Sequence, residues 1–213
     1  KDFLQRAGHS AYDKFRHKGF LRHCIIREAK FSNTLMVGIV TTGSETLDKR
    51  ALVDLLHAVP LKCRIASIYL ITNDSYSDAV VFENKELLYG NPTIIEELEG
   101  YRFHIGIDTF FQINSAMLPR FYGKIRDYLH VSDRERALDL FCGVGSIGIF
   151  LAASARYVWG VEVSKDIVDL ARQNAKENNV DNISFIDADA RRFLNTQGAF
   201  YSDVDALVVN PPR

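Results

Sequence analysis

The sequence predicts an α/β protein in two parts. A small α+β domain covers residues 1–107, and residues 108–213 carry the first four strands of an open, Rossmann-like parallel sheet. Two observations lead there. After Thr109, short apolar segments alternate strictly with amphipathic helical ones, the pattern of a parallel sheet covered on both faces. Four polar landmarks then follow successive strand ends: Gly143-Val144-Gly145-Ser146-Ile147-Gly148, Glu162, Asp189 and Asn210.

In the first domain, Phe20 to Lys30 interleaves apolar residues with Arg22, His23 and Arg27 and reads as a strand. Thr34 to Thr42, rich in Val, Ile and Thr, is a second, with Ser32-Asn33 as the turn between them. Asp48 to His57 is helical, with Leu52, Leu55 and Leu56 on one face and Asp48 at its start. Strands are expected at Arg64 to Thr72, Ala79 to Phe82, Glu86 to Tyr89 and Tyr101 to Ile107. In the second domain, Ser115 to His130 is a helix. Strand and helix then alternate: Arg136 to Phe141, Ser146 to Ser154, Tyr157 to Val161, Ser164 to Asn178, Ile183 to Ile186, Ala190 to Leu194 and Ala206 to Val209.

Composition narrows the class. A hydrophobic content of 47% and a charged content of 25% are those of a globular protein. No apolar run is long enough to span a bilayer. A first residue of Lys rather than Met is expected of a piece of a longer protein. Three widely spaced cysteines (Cys24, Cys63, Cys142) match no metal or disulfide pattern and suggest a reducing, cytoplasmic compartment, with Cys24 and Cys63 expected to be buried. The net charge of −1 hides an asymmetry: residues 1–30 carry eight Lys or Arg against three acids. Such a patch suits phosphate contacts and suits a solvated surface equally.

The landmarks carry the chemistry. Gly143, Gly145 and Gly148 allow a tight turn and close backbone approach to a ligand where a helix begins. Glu162, nineteen residues beyond Gly143, can accept hydrogen bonds from ribose hydroxyls. These two features alone fit a nicotinamide dinucleotide enzyme equally well. Asp139, inside the first strand of the sheet, favours a cationic ligand over a pyrophosphate. Asp189 is placed to take a hydrogen bond from an adenine amino group. Asn210-Pro211-Pro212 makes a rigid polar turn after the fourth strand. Taken singly, each of these reads more readily as a helix cap or a turn.

Together, Phe110-Phe111-Gln112-Ile113-Asn114, Asp139-Leu140-Phe141-Cys142-Gly143-Val144-Gly145, Gly160-Val161-Glu162 and Asn210-Pro211-Pro212-Arg213 closely resemble the S-adenosylmethionine-dependent RNA uracil-C5 methyltransferases, which make 5-methyluridine in ribosomal or transfer RNA. Gly19 to Glu28 resembles the family's central domain, so residues 1–107 are expected to contact RNA. The resemblance implies a Rossmann-like methyltransferase sheet with S-adenosyl-L-methionine as cofactor. Gln112 would contact its methionine end, Phe141, Gly143, Gly145 and Ser146 would line the loop around it, Glu162 would hold the ribose and Asp189 would face the adenine. Asn210, where most members carry Asp, would close the pocket between cofactor and uracil. The Asn form belongs to a ribosomal-RNA branch, so rRNA is expected over tRNA. Arg213 would hold the target nucleotide.

In the family a cysteine attacks C6 of uracil to make C5 nucleophilic, and a carboxylate then removes the C5 proton. The resemblance implies that both lie beyond Arg213. Cys142, inside the glycine turn, reads as a small packed residue rather than this nucleophile. The expected protein is a monomer acting on RNA, with no metal and no membrane. The alternatives are a nicotinamide-dependent oxidoreductase, which leaves Gln112 and Asn210 unexplained, and a piece that binds cofactor or RNA without turnover.

Overall fold

The computed structural model describes residues 8–77, 79–112, 117–196 and 203–211, which fall into two compact units. The first comprises residues 1–94 with 106–108, and the second 95–105 with 109–213. The chain thus passes between the units over 94–109, rather than at a single point.

The first unit is a mixed sheet in the order β1-β2-β3-β4, formed by Leu21–Ala29, Thr34–Thr41, Arg64–Thr72 and Asn84–Gly90. β1 and β4 run antiparallel to their neighbours, and β2 and β3 run parallel. A parallel pair needs a crossover, which is helix α1 (Lys49–Ala58). Asp48 caps it, its side chain accepting the Ala51 N–H at 2.9 Å. Leu52 packs fully buried against Val37, Ile39, Ile65 and Ile68.

Three sequence expectations change here. Residues 79–82 form no strand, and Val80 and Val81 are each 38% exposed. Asn73, Ser75 and Ser77 instead fold the segment on itself by side chains that accept backbone N–H groups (3.0–3.1 Å, Ser75 N–H to Asn73 Oδ1, Ser77 N–H to Ser75 Oγ and Ala79 N–H to Ser77 Oγ). Cys24 is exposed and Cys63 half-buried, because Cys24 lies on an edge strand with an uncovered face. Arg22, counted in the basic patch, turns inward to donate to the carbonyls of Asn73, Ser75 and Ser77 at 2.6–2.7 Å.

The second unit opens with the hairpin β5 (Ile94–Leu98) and β6 (Tyr101–Ile105), turned through Glu99 and Gly100, both at positive φ. β5 was not expected. Helix α2 (Leu118–Leu129) follows, with Pro119 in its first turn. The sheet then runs in the order β10-β7-β8-β9, all parallel: Ala206–Val209, Arg136–Leu140, Tyr157–Glu162 and Ile183–Asp187. Helices α3 (Ser146–Ala152), α4 (Lys165–Glu177) and α5 (Ala190–Thr196) connect these strands. Leu138, Leu140, Val161, Ala190 and Phe193 form the core under α5.

Helix α4 also covers the free edge of the hairpin. Asn174 Oδ1 accepts the His104 N–H at 2.8 Å, and its Nδ2 donates to the His104 carbonyl at 3.3 Å. One turn later Asn178 does the same for Arg102, both at 2.7 Å. Two side-chain amides stand in for a neighbouring strand.

Candidate functional site

The strand order puts a topological switch point between β7 and β10. The chain climbs outward through β8 and β9, then returns to the other side of β7. In open α/β sheets ligands sit at the carboxyl ends of strands beside such a point. The registers Leu140↔Val161, Glu162↔Asp187 and Val209↔Leu140 align these ends. They bring Phe141 to Ser146, Glu162, Asp189 and Asn210 to one edge of the sheet.

The glycine turn is built as its residues demand. Gly143 and Gly145 take φ of 54° and 82°, and Phe141 is held at 61°. At Gly145 a Cβ would also meet the Phe185 ring at 2.7 Å, so both conformation and space require glycine. The turn closes through the Gly145 N–H to Cys142 carbonyl bond at 3.0 Å. Gln112 is half-buried on a segment that runs beside it: the Phe110 carbonyl lies 3.6 Å from where a Gly143 Cβ would be. Ile113 and Asn114, the end of that motif, lie outside the described residues, and so does Arg213.

Glu162 is more engaged than its sequence position suggests. Oε2 accepts the Gly143 N–H at 3.2 Å, and Oε1 accepts the N–H groups of Val163 and Ser164 at 2.8 and 3.2 Å. A carboxylate offers about four acceptor positions, so about one remains, on Oε2. Glu162 therefore ties the glycine turn to the end of β8 and still faces outward. Asp189 is exposed and caps α5, Oδ1 accepting the Arg192 N–H at 2.8 Å. An open cleft beside it is lined by Val163, Asp187, Asp189 and Arg192. Asn210 is half-buried directly after β10.

Two further residues shape the site. Val163 leaves its side chain 64% exposed at the cleft wall, an apolar surface that no sequence pattern marked. Tyr122, on α2, is buried and donates its hydroxyl to Ser146 Oγ at 2.9 Å, so α2 holds the first residue of α3. Burial pushes the Tyr122 hydroxyl up to about 12; the bond to Ser146 opposes this, and Asp139 adds to it. A tyrosine at helical spacing reads as core, and only the fold reveals the contact.

Asp139, marked in the sequence, is fully buried, and neither carboxyl oxygen closes a hydrogen bond. Burial pushes it up to about 7; the nearby Gly148 amide lowers it and the Glu162 carboxylate raises it. Cys142 is buried too. Burial pushes its thiol well up, and Asp139 and Glu162 push it further, the reverse of what an attacking thiolate needs. Among the described residues no group of three or more His, Cys, Asp and Glu is arranged to hold a metal ion.

Comparison with known proteins identifies a family. A family model described as tRNA (uracil-5-)-methyltransferase matches residues 59–200. An uncharacterised RNA methyltransferase of Caldanaerobacter subterraneus subsp. tengcongensis is 37% identical over 202 residues, 95% of this chain and 44% of the relative. Another, from Staphylococcus aureus (strain MRSA252), is 34% identical over 214 residues, the whole of this chain and 47% of the relative. The chain thus spans about half the length of the curated relatives it matches. Among solved structures, the Pyrococcus abyssi tRNA (uracil-54, C5)-methyltransferase in complex with S-adenosyl-L-homocysteine superposes with a TM-score of 0.72 at 29% identity, covering all of this chain and 49% of the other. No helix among the described residues is long and apolar enough to cross a membrane.

Proposed function

The chain belongs to the tRNA (uracil-5-)-methyltransferase family, and from that premise we propose that it binds S-adenosyl-L-methionine at the β7–α3 turn, within a protein that methylates C5 of a uridine in RNA. One observation carries the cofactor reading. The glycine cradle is closed by the Glu162 carboxylate, whose negative charge suits a positively charged nucleoside and repels a pyrophosphate.

The residues present fit that group. Glu162 would take a ribose hydroxyl on its remaining acceptor position. The exposed face of Val163 would carry the adenine, with Asp189 at its amino edge. Gln112, Phe141, Gly143, Gly145 and Ser146 would surround the methionine end. When bound, S-adenosyl-L-methionine supplies an electrophilic methyl group on a sulfonium centre. Asn210 offers a donor and an acceptor to the uracil edge without adding charge beside Glu162 and Asp189. Arg213 would hold the target nucleotide. A target base must leave its stack to be reached, so an unpaired loop is the preferred substrate. The attacking thiolate and the base that removes the C5 proton are expected beyond Arg213, and Cys142 takes no part.

Ribosomal RNA is the proposed substrate class, supported by Asn at 210. Transfer RNA is the second reading, favoured by the substrate of the Pyrococcus abyssi relative. Isothermal titration of the chain with S-adenosylhomocysteine and with NAD tests the cofactor assignment. Binding of the first and not the second is expected, and binding of NAD alone overturns it. Methylation of purified rRNA against tRNA by the longer protein separates the two substrates.

A further inference from the structure

Far along the chain from the glycine turn, residues 12–18 form a second feature with its own chemistry. Asp13 and Lys18 pair across a tight turn, with N–H to carbonyl distances of 2.7 and 3.4 Å. Asp13 Oδ1 accepts the N–H groups of Phe15 and Arg16 at 2.9 and 3.0 Å, which fixes the tip. The Tyr12 N–H donates to the Leu21 carbonyl at 2.8 Å and anchors the base of the turn to the start of β1.

What this turn displays is unusual for a free surface. Phe15 is 85% exposed, and the Arg16 side chain is 82% exposed. Lys14 and Lys18 are exposed too, and the Lys14 ammonium sits 5.4 Å over the Phe15 ring. A second ring stands beside the turn: Tyr76, 78% exposed, meets His17 edge-on at 4.8 Å. The loop bearing Tyr76 is the one that Arg22 clamps through three carbonyls, and the same guanidinium stacks 4.3 Å from the Tyr12 ring. One arginine thus joins the turn carrying Phe15 to the loop carrying Tyr76. The one carboxylate in the turn, Asp13, is engaged by backbone N–H groups and by Arg16 at 3.7 Å.

Flat rings held rigidly in solvent among cations match the demands of a single strand of nucleic acid, whose bases seek stacking platforms and whose phosphates seek positive charge. A protein partner would favour a continuous apolar groove, and here the Phe15 ring is bordered by the Lys14 ammonium and the Tyr76 ring by the His17 imidazole. We infer that the Tyr12–Lys18 turn and Tyr76 form a docking surface for single-stranded RNA. Phe15 and Tyr76 stack on bases, and Lys14, Arg16 and Lys18 meet phosphates. The partner class rests on the reading of the chain as part of an RNA-modifying enzyme, while the surface is separate from the glycine turn.

Fluorescence anisotropy with a labelled oligouridylate tests this. Phe15→Ala and Tyr76→Ala each weaken binding by about tenfold or more, the loss of one stacked base. Phe15→Tyr keeps the platform and the affinity. The triple change Lys14→Ala, Arg16→Ala, Lys18→Ala lowers the slope of log K against log salt by about 2, at roughly 0.7 per phosphate for a single strand. All variants bind S-adenosylhomocysteine as the native chain does. Unchanged oligouridylate affinity in both ring variants overturns the inference. Loss in the charge variant alone also overturns it, since that describes a backbone contact without stacking. A native chain that binds S-adenosylhomocysteine but no RNA refutes the surface and leaves the cofactor site standing; the converse result refutes the cofactor site and leaves the surface.

Discussion

Replacing Asp139 by Asn should remove a pH dependence of stability that the fold builds into β7. The carboxyl is fully buried, closes no hydrogen bond and is pushed from 3.8 to about 7. Between those values the folded chain holds a proton that the unfolded chain has released. The stabilisation is therefore complete below about 3.8 and is lost as pH rises through about 7. Roughly three units at ~1.4 kcal/mol each amount to ~4 kcal/mol, with no discount for screening in a site closed to solvent. Asn has nearly the same shape and does not titrate. Urea unfolding followed by Trp159, the single tryptophan, reports on this sheet, because Trp159 packs against its core in β8. Between pH 5 and 7 the native chain should lose about 1.4 kcal/mol per pH unit relative to Asp139→Asn, and the difference should flatten above pH 7. Parallel profiles for the two proteins would refute the argument and show that Asp139 titrates as an ordinary carboxyl.

Other outcomes follow from the same geometry. Glu162→Ala removes the ribose acceptor and frees three N–H groups of the turn, so calorimetry with S-adenosylhomocysteine should show a loss of about 2–4 kcal/mol; unchanged affinity contradicts the placement. Tyr122→Phe deletes the hydroxyl that holds Ser146 and should lower stability by about 1 kcal/mol in the same urea assay, with a few-fold weaker cofactor binding. In a methyl-transfer assay on protein that turns over, Asn210→Ala should lower turnover by about 10–1000-fold and cofactor affinity far less. Cys142→Ala should leave that turnover within a few-fold, whereas its abolition would identify Cys142 as the nucleophile after all.

The sequence was most readable where its signals are local. Asp48 announces a helix start, Gly143 and Gly145 a turn with positive φ, and the strands from β7 to β10 are short apolar runs between amphipathic helices. Reading failed where distant residues decide. β5 was missed because Ile94, Glu96 and Leu98 point inward together, and a glutamate that is only 3% exposed breaks the apolar alternation expected of a strand. The segment 79–82 has strand-like residues, yet Arg22, more than fifty positions away, holds the adjoining loop through its carbonyls. At the site, residue types were legible and their engagements were not. Nothing in the sequence shows that Glu162 already accepts three N–H groups, that Asp189 doubles as a helix cap, or that Tyr122 reaches Ser146.

The paired amides of Asn174 and Asn178 bear on how this protein could be taken apart. They complete a hairpin that precedes the parallel sheet in sequence, and Asn174 also donates to the Val144 carbonyl in the glycine turn at 3.0 Å. Residues 106–108 then return to the first unit. Neither unit is a continuous cassette. Recombination at residue 107 would deliver a sheet without its hairpin and leave the Oδ1 atoms of Asn174 and Asn178 without the His104 and Arg102 N–H groups that they accept. The hairpin and the sheet are therefore expected to travel together whenever such chains are cut, fused or exchanged.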